Sequence, residues 1–382
     1  MNKPACYAPW VTTYEKPSGI NPCCAYQPNT PSNVLMLAKH ETTLEERFNH
    51  PYMVKLKDHL LNSDKLPSAC IGCEVDENYG VRSLREQLDD MVADNNYAWD
   101  VNKFEMLWLD HRASNECNFS CKMCGSDFSN VHAKINGQYG KTGIIKSPND
   151  IQMYLDQLDT IKQVNLLGGE PMLMDSTFTI LKEIRKRNLQ SQIDLSIVTN
   201  GSLLHRKKDD LIKLLAGFKF VDIAVSMDVM GAQHNYWRQK NTWDAVETNI
   251  KILYEWAQEN RQNKQCALRV ALSWPTAFAA REVFDKFSDM NIDIRWNQVI
   301  IPSGLGLNCL PQLTLDRLVK HWKDYPDVQY MFKETITAKN ADQLLINGKK
   351  DILRQDRYHN TDFVTAFPEY KEFYNQIQVD KH

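Results

Sequence analysis

The stretch "FEMLWLDHRASNECNFSCKMCGSD", residues 104–127, sets three cysteines, Cys117, Cys121 and Cys124, in a short polar loop directly after an apolar, β-rich run. In parallel βα folds the loops at the C-terminal ends of the strands are where ligands bind. Cys-x3-Cys-x2-Cys spacing lets a tight loop aim three sulfurs at one iron–sulfur cube and leaves a fourth iron open. Thiolates suit iron–sulfur clusters and zinc alike. Structural zinc usually takes four ligands, commonly from paired CxxC knuckles, and this loop is one short of that. Three free loop cysteines are the bland alternative.

Working outward, the 382-residue chain is 43% hydrophobic, enough for a large core spread over two or three domains. Its formal net charge of −3 gives no whole-protein field that argues for nucleic acid or an anionic membrane. The N-terminal "MNKPACYAPWVTTYEKPSG" has no apolar signal region, and no segment reaches the length of a membrane span. The expectation is a cytoplasmic protein. Reducing conditions there make ten cysteines a set of candidate metal ligands rather than a disulfide framework. Eight of them precede residue 125; Cys266 and Cys309 stand apart and read as ordinary buried thiols.

Residues 1 to about 95 begin with Pro4, Pro9, Pro17, Pro22, Pro28 and Pro31, which discourage long helices. Helical stretches follow over 42–63 and from about Ser83 to Val92. From residue 104, β-rich runs at 104–110, 163–168, 192–199, 220–228, 267–274 and 292–301 alternate with amphipathic helical segments at 151–161, 176–188, 207–217, 243–260 and 279–290, with a further one from about 314. That alternation is the signature of βα units on a parallel sheet. Six units fall short of a complete eight-unit barrel. The expected organisation is a small cysteine-rich segment over 1–95, an α/β core over 100–310 and a mostly helical extension over 311–382. The tail run "DILRQDRYHNTDFV" reads as a solvated face, and "HNYWRQKNTWDAVETNIKILYEW" as an amphipathic helix docking on the core.

"CNFSCKMC" followed in order by "LLGGEP", "VTNGSLL" and "VSMD", each at a strand end, resembles the radical S-adenosylmethionine (radical SAM) superfamily over roughly residues 104–301. The family resemblance implies a partial TIM-like barrel of six βα units. It also implies a 4Fe–4S cluster held by Cys117, Cys121 and Cys124 whose open iron chelates SAM. One electron from a reductant such as flavodoxin or ferredoxin then yields a 5′-deoxyadenosyl radical that abstracts a substrate hydrogen. The residue before the third cysteine is usually aromatic in the family and is Met123 here.

Gly168 and Gly169 end a buried strand and permit close approach of a ligand to the backbone, and Glu170 follows with a carboxylate suited to an ammonium group. By resemblance this motif holds the SAM amino group; the plain alternative is a strand-to-helix turn. Residues two apart on a strand share a face, so Ser226 and Asp228 face the same way as Asp222 and Ala224. Polar groups on one buried face need partners. The resemblance gives them the SAM ribose and carboxylate, with Arg238 of "HNYWRQK" meeting the same carboxylate or lying on the surface. Asn200 in "TNG" resembles another SAM-contacting edge, though Asn-Gly is also a common turn. His111 is placed to line the site.

The N-terminal set of Cys6, Cys24, Cys70 and Cys73 resembles a twitch segment, half of a SPASM domain, placed before the barrel. It implies a second, auxiliary 4Fe–4S cluster. Cys23 and Cys24 are adjacent and cannot easily both reach one cube; the Gly19-x4-Cys24 spacing favours Cys24. Four thiolates also make a zinc site. The implied function is a radical SAM enzyme, with no catalytic side chain assigned, acting on a peptide or protein side chain. Dehydrogenation or epimerisation of a small metabolite or sugar is the alternative, and a non-enzymatic metal-binding module is the alternative of another class.

Overall fold

The computed structural model describes residues 4–16, 19–26, 43–63, 65–78, 82–95, 97–112, 114–137, 148–206, 209–300 and 302–379. The chain divides into two compact units, one of residues Met1–Glu116, Gly140–Ile197 and His205–Val221, the other of Cys117–Tyr139, Val198–Leu204 and Asp222–His382. All six strands expected from the sequence are present, at Trp108–His111, Gln163–Leu166, Asp194–Thr199, Phe220–Ser226, Lys264–Leu272 and Asp293–Gln298. The fold is α/β with a mostly parallel sheet. Among the described residues no helix is long and apolar enough to cross a membrane.

In the first unit, Trp108–His111 pairs in parallel with Gln163–Leu166, which pairs in parallel with Asp194–Thr199. Burial alternates along the latter two strands, so each buries one face. The proline-rich beginning is more ordered than its composition implies. Thr12–Lys16 joins the sheet in parallel beside Trp108–His111, and Gly19–Asn21 turns back on it antiparallel. The short helix Ala8–Val11 buries Trp10 completely, and the indole N–H donates to Val101 O at 2.9 Å. The expected helix over 42–63 is two, Leu44–Phe48 and Pro51–Asn62, because Pro51 cannot continue the first and opens the second. The expected segment 207–217 contains only the short helix Leu211–Leu214, with residues 207 and 208 outside the described set.

In the second unit, Lys264–Leu272 and Asp293–Gln298 pair in parallel, and Phe220–Ser226 flanks the former. Asp222, on the polar face that needed partners, forms a two-pronged ion pair with Arg295. Helix Trp243–Gln258 buries Trp243, Val246, Ile250, Leu253 and Trp256, in line with the amphipathic reading. The tail is a run of helices whose aromatic side chains, Phe363, Tyr370, Phe373 and Tyr374, surround the buried Trp274. Helix Ala341–His359 lies directly on the turn Ser303–Leu305 because Gly348 and Gly304 meet backbone to backbone. A Cβ on Gly348 would sit 2.0 Å from Gly304 O.

His111 in the first unit and His234 in the second are buried, and burial holds both imidazoles down to about 4 from an ordinary 6.5. The unfolded chain therefore takes up these protons first as pH falls, so native stability declines from about pH 6.5 towards pH 4. The urea midpoint is expected to drop between about pH 7.5 and about pH 5, and to drop less in His111→Gln. Equal midpoints at the two pH values would show that these imidazoles are not held neutral.

Candidate iron–sulfur sites

The cluster loop is built by the second unit. Ser120–Cys121 forms a two-residue antiparallel bridge with Arg238–Gln239, with Arg238 directly opposite Cys121. Lys122 N–H donates to Trp237 O at 2.8 Å and Cys124 N–H to Cys121 O at 2.9 Å, closing the turn between the second and third thiols. Helix Asn130–Ile135, capped by Ser129, brings up His132. Burial holds this imidazole below its ordinary value, and its Nε2 bonds the Cys121 carbonyl at 2.7 Å.

The sulfurs are served by donors. Phe119 N–H points at Cys117 Sγ at 3.4 Å, Asn200 Nδ2 approaches the same sulfur at 4.0 Å, and Arg238 Nη1 approaches Cys121 Sγ at 3.8 Å. Burial pushes the Cys124 thiol up to about 12, and the neighbouring Cys121 adds to it. Free thiolates here would be costly, whereas thiolates bound to iron share their charge with the metal. This donor set fits an iron–sulfur cluster held by Cys117, Cys121 and Cys124. Among the described residues no three or more His, Cys, Asp or Glu side chains converge as a single-ion site would.

The resemblance sent Asn200, Asp228 and Arg238 to SAM, and the structure gives each a protein partner. Asn200 donates to Asn118 Oδ1 at 2.9 Å and accepts from Ser202 N–H and Oγ–H, so it braces the loop beside Cys117. Asp228 is fully buried; its Oδ1 accepts from Ala271 N–H at 2.8 Å and its Oδ2 from Arg238 Nε at 2.9 Å. Arg238 is buried rather than on the surface. Ser226 is half-buried at the end of its strand.

In the first unit, Gly169 N–H donates to Ser114 O at 2.9 Å and Glu170 N–H to Glu116 O at 2.8 Å. A Cβ on Gly169 would stand 2.2 Å from Glu116 O, and Gly168 has φ +132°, which side chains rarely adopt. The glycines therefore admit the chain's own backbone, the segment running into Cys117. Glu170 is completely buried, and its Oε1 accepts from Met172 N–H at 3.1 Å. His111 bonds Ser176 Oγ at 2.9 Å and stacks edge-on with Tyr154, which makes it a core residue of this unit.

A second thiol set lies in the same unit. Cys6, Cys23, Cys70 and Cys73 line one cavity of about 370 Å³ counting its open mouth, closed by Ala8, Tyr26, Leu56 and Leu60. Burial pushes Cys6 and Cys70 up to about 12 and raises Cys23 and Cys73 as well. Arg85, anchored on Glu77, lines the cavity too. The expected ligand Cys24 is not among these residues. It is exposed, and its nearest charges are Asp110 and Arg112. Of the two neighbours, Cys23 lines this cavity.

One group escaped the sequence reading altogether. Lys122, inside the cysteine motif, is fully buried with Nζ 2.5 Å from Asp356 Oδ1 and 4.5 Å above the Tyr236 ring. Gln355 Nε2 donates to Lys122 O at 2.9 Å, and His359 Nε2 bonds Ser120 Oγ at 2.9 Å. The tail run read as solvated, residues 351–364, thus includes the C-terminal turns of helix Ala341–His359, which pack on the three-cysteine loop. Lysine between two cysteines was the only local signal.

Three local thiols after a strand, with N–H donors on two of their sulfurs, sit on a parallel α/β scaffold. The chain carries a radical SAM domain: residues 112–259 match the radical SAM superfamily. It is 28% identical over 212 residues to the radical SAM cyclopropyl synthase TigE of Paramaledivibacter caminithermalis, covering 53% of this chain and 42% of that protein. The chain therefore spans less than half the length of this relative. Among solved structures, anSMEcpe with bound AdoMet and peptide aligns at 19% identity and TM-score 0.42, covering 58% of this chain and 61% of that one. Streptococcus suis SuiB bound to S-adenosylmethionine aligns at 18% identity and TM-score 0.42, covering 66% and 56%.

Proposed function

We propose that the chain binds a 4Fe–4S cluster through Cys117, Cys121 and Cys124 and uses SAM to abstract a hydrogen atom from a peptide or protein side chain. The observation that carries the cluster assignment is the three-thiol loop with donors on two of its sulfurs. When bound, cluster and SAM together supply a carbon-centred radical by one-electron cleavage of the sulfonium. The protein's own part is to hold the loop: His132 fixes the Cys121 carbonyl, Asn200 the Cys117 side, and Lys122 the turn between Cys121 and Cys124. The cyclopropyl synthase relative supports carbon-centred chemistry. Anaerobically reconstituted protein with dithionite should convert SAM to 5′-deoxyadenosine. Clustered, reduced protein that yields none would remove the reading.

The peptide reading is an analogy with auxiliary-cluster enzymes and leans on the four-thiol cavity, which we assign to a second 4Fe–4S cluster. Four cysteine ligands close a cluster, which favours electron relay or structure over substrate binding. Cys23→Ser is expected to lose one cluster's iron and sulfide while Cys24→Ser keeps it. The reverse pattern would restore Cys24 as the ligand, and zinc in place of iron would replace the cluster with a structural metal site.

A further inference from the structure

We infer that Arg238 sets the reduction potential of the cluster held by Cys117, Cys121 and Cys124, acting on the Cys121 sulfur rather than on a carboxylate of SAM. The inference rests on the cluster assignment proposed above. Four observations carry it. Arg238 lies opposite Cys121 in a backbone bridge, so its Cα cannot drift from the loop. Its Nη1 is 3.8 Å from Cys121 Sγ. Its Nε and Nη2 both lie 2.9 Å from Asp228 Oδ2, which fixes the plane of the guanidinium. The pair is sealed, with Arg238 6% exposed and Asp228 at 0%. Asp228 is held in turn by Ala271 N–H, so the chain from a strand backbone through carboxylate and guanidinium to sulfur is continuous.

Reduction adds one negative charge to a cluster. A cation and an N–H···S bond beside a ligating sulfur stabilise that extra charge, and charge and hydrogen bonds to the sulfurs are recognised determinants of cluster potential. The effect is strong where water is excluded. Arg238 is the near charge and Asp228 the more distant, opposite one. Removing them therefore shifts the potential in opposite directions. The Nε–Nη2 edge of Arg238 is already committed to Asp228 and its Nη1 to Cys121, so that edge offers no second carboxylate clamp.

The test is a redox titration of the cluster signal that changes when SAM is added, followed by electron paramagnetic resonance, alongside SAM binding. Arg238→Gln is expected to lower the midpoint potential, and Asp228→Asn, which keeps an acceptor for Ala271 N–H, to raise it, with SAM affinity unchanged in Arg238→Gln. A purely structural role would instead reduce cluster content in both variants without opposed shifts. Should Arg238→Gln take up no cluster, Arg238→Lys carries the comparison, with a midpoint below wild type because the fork to sulfur is lost. Unmoved midpoints with weakened SAM binding in the arginine variants would overturn the inference in favour of a carboxylate clamp. A wild-type protein with no SAM-responsive cluster signal would instead sink the underlying cluster assignment.

Discussion

Cys121→Ala protein, reconstituted with iron and sulfide and reduced with dithionite, is expected to release no 5′-deoxyadenosine from SAM above background, while wild type does. Cys121 is the central thiol of the loop and the one with the most structure around it. Its sulfur faces Arg238, its carbonyl receives His132, and its backbone is bridged to Arg238. Alanine leaves all the backbone bonds in place and removes only the sulfur. The fold should therefore survive, with an unchanged far-ultraviolet spectrum. Two thiols would remain for a cluster that needs three from this loop, and an unsupported cube is lost or degrades. The readouts are iron and sulfide per chain and nucleoside product. The four-thiol cavity should still fill in this variant, so its iron content falls by one cluster and not to zero. Product formation at the wild-type rate in Cys121→Ala would end the assignment of this loop.

Asp356→Ala is expected to be the most destabilising single change in the second unit. The carboxylate accepts from Lys122 Nζ, from Tyr236 Oη at 2.9 Å, from Thr361 Oγ1 at 2.8 Å and from Phe363 N–H at 3.1 Å. Its loss strands a completely buried ammonium, and breaking a buried pair from one side costs about 3–5 kcal/mol. Lys122→Met removes the cation instead and leaves the carboxylate three other donors, so it should cost less. The double variant should recover part of the loss seen in Asp356→Ala, since no buried charge is then unpaired. Melting temperatures and a double-mutant cycle check the order. Because Lys122 lies between Cys121 and Cys124, the single Asp356 variant should also retain less iron. An Asp356→Ala protein as stable as wild type would mean that the ammonium reaches water.

These two predictions differ in how far each was legible beforehand. The cysteine triplet is local: three thiols within eight consecutive residues, after a strand whose apolar run is unmistakable. The six parallel strands were equally plain, because period and β-branched content mark each one by itself. The Lys122–Asp356 pair joins residues 234 apart, and neither looks unusual in its own neighbourhood. A polar helix turn such as "LRQDRYH" carries no mark of burial until a buried cation comes to meet it. Family resemblance also had a limit. It pointed Asp228 and Arg238 to a cofactor and gave no sign of their contacts with Ala271 N–H and the Cys121 sulfur.

What the amino-acid sequence determined by itself was chemistry held in short windows: the three-thiol loop, the glycines that open a strand end to close approach, and the strand pattern of a parallel sheet. What only the tertiary structure decided was which of two neighbours lines a cavity and what a distant segment packs against. Spacing cannot separate Cys23 from Cys24, because only the folded turn places one in the cavity and the other beside Asp110. Nor can periodicity show that the tail helix ends on the cluster loop. That contact rests on Gly348, which lets the helix lie against Gly304, and on the buried Lys122–Asp356 pair.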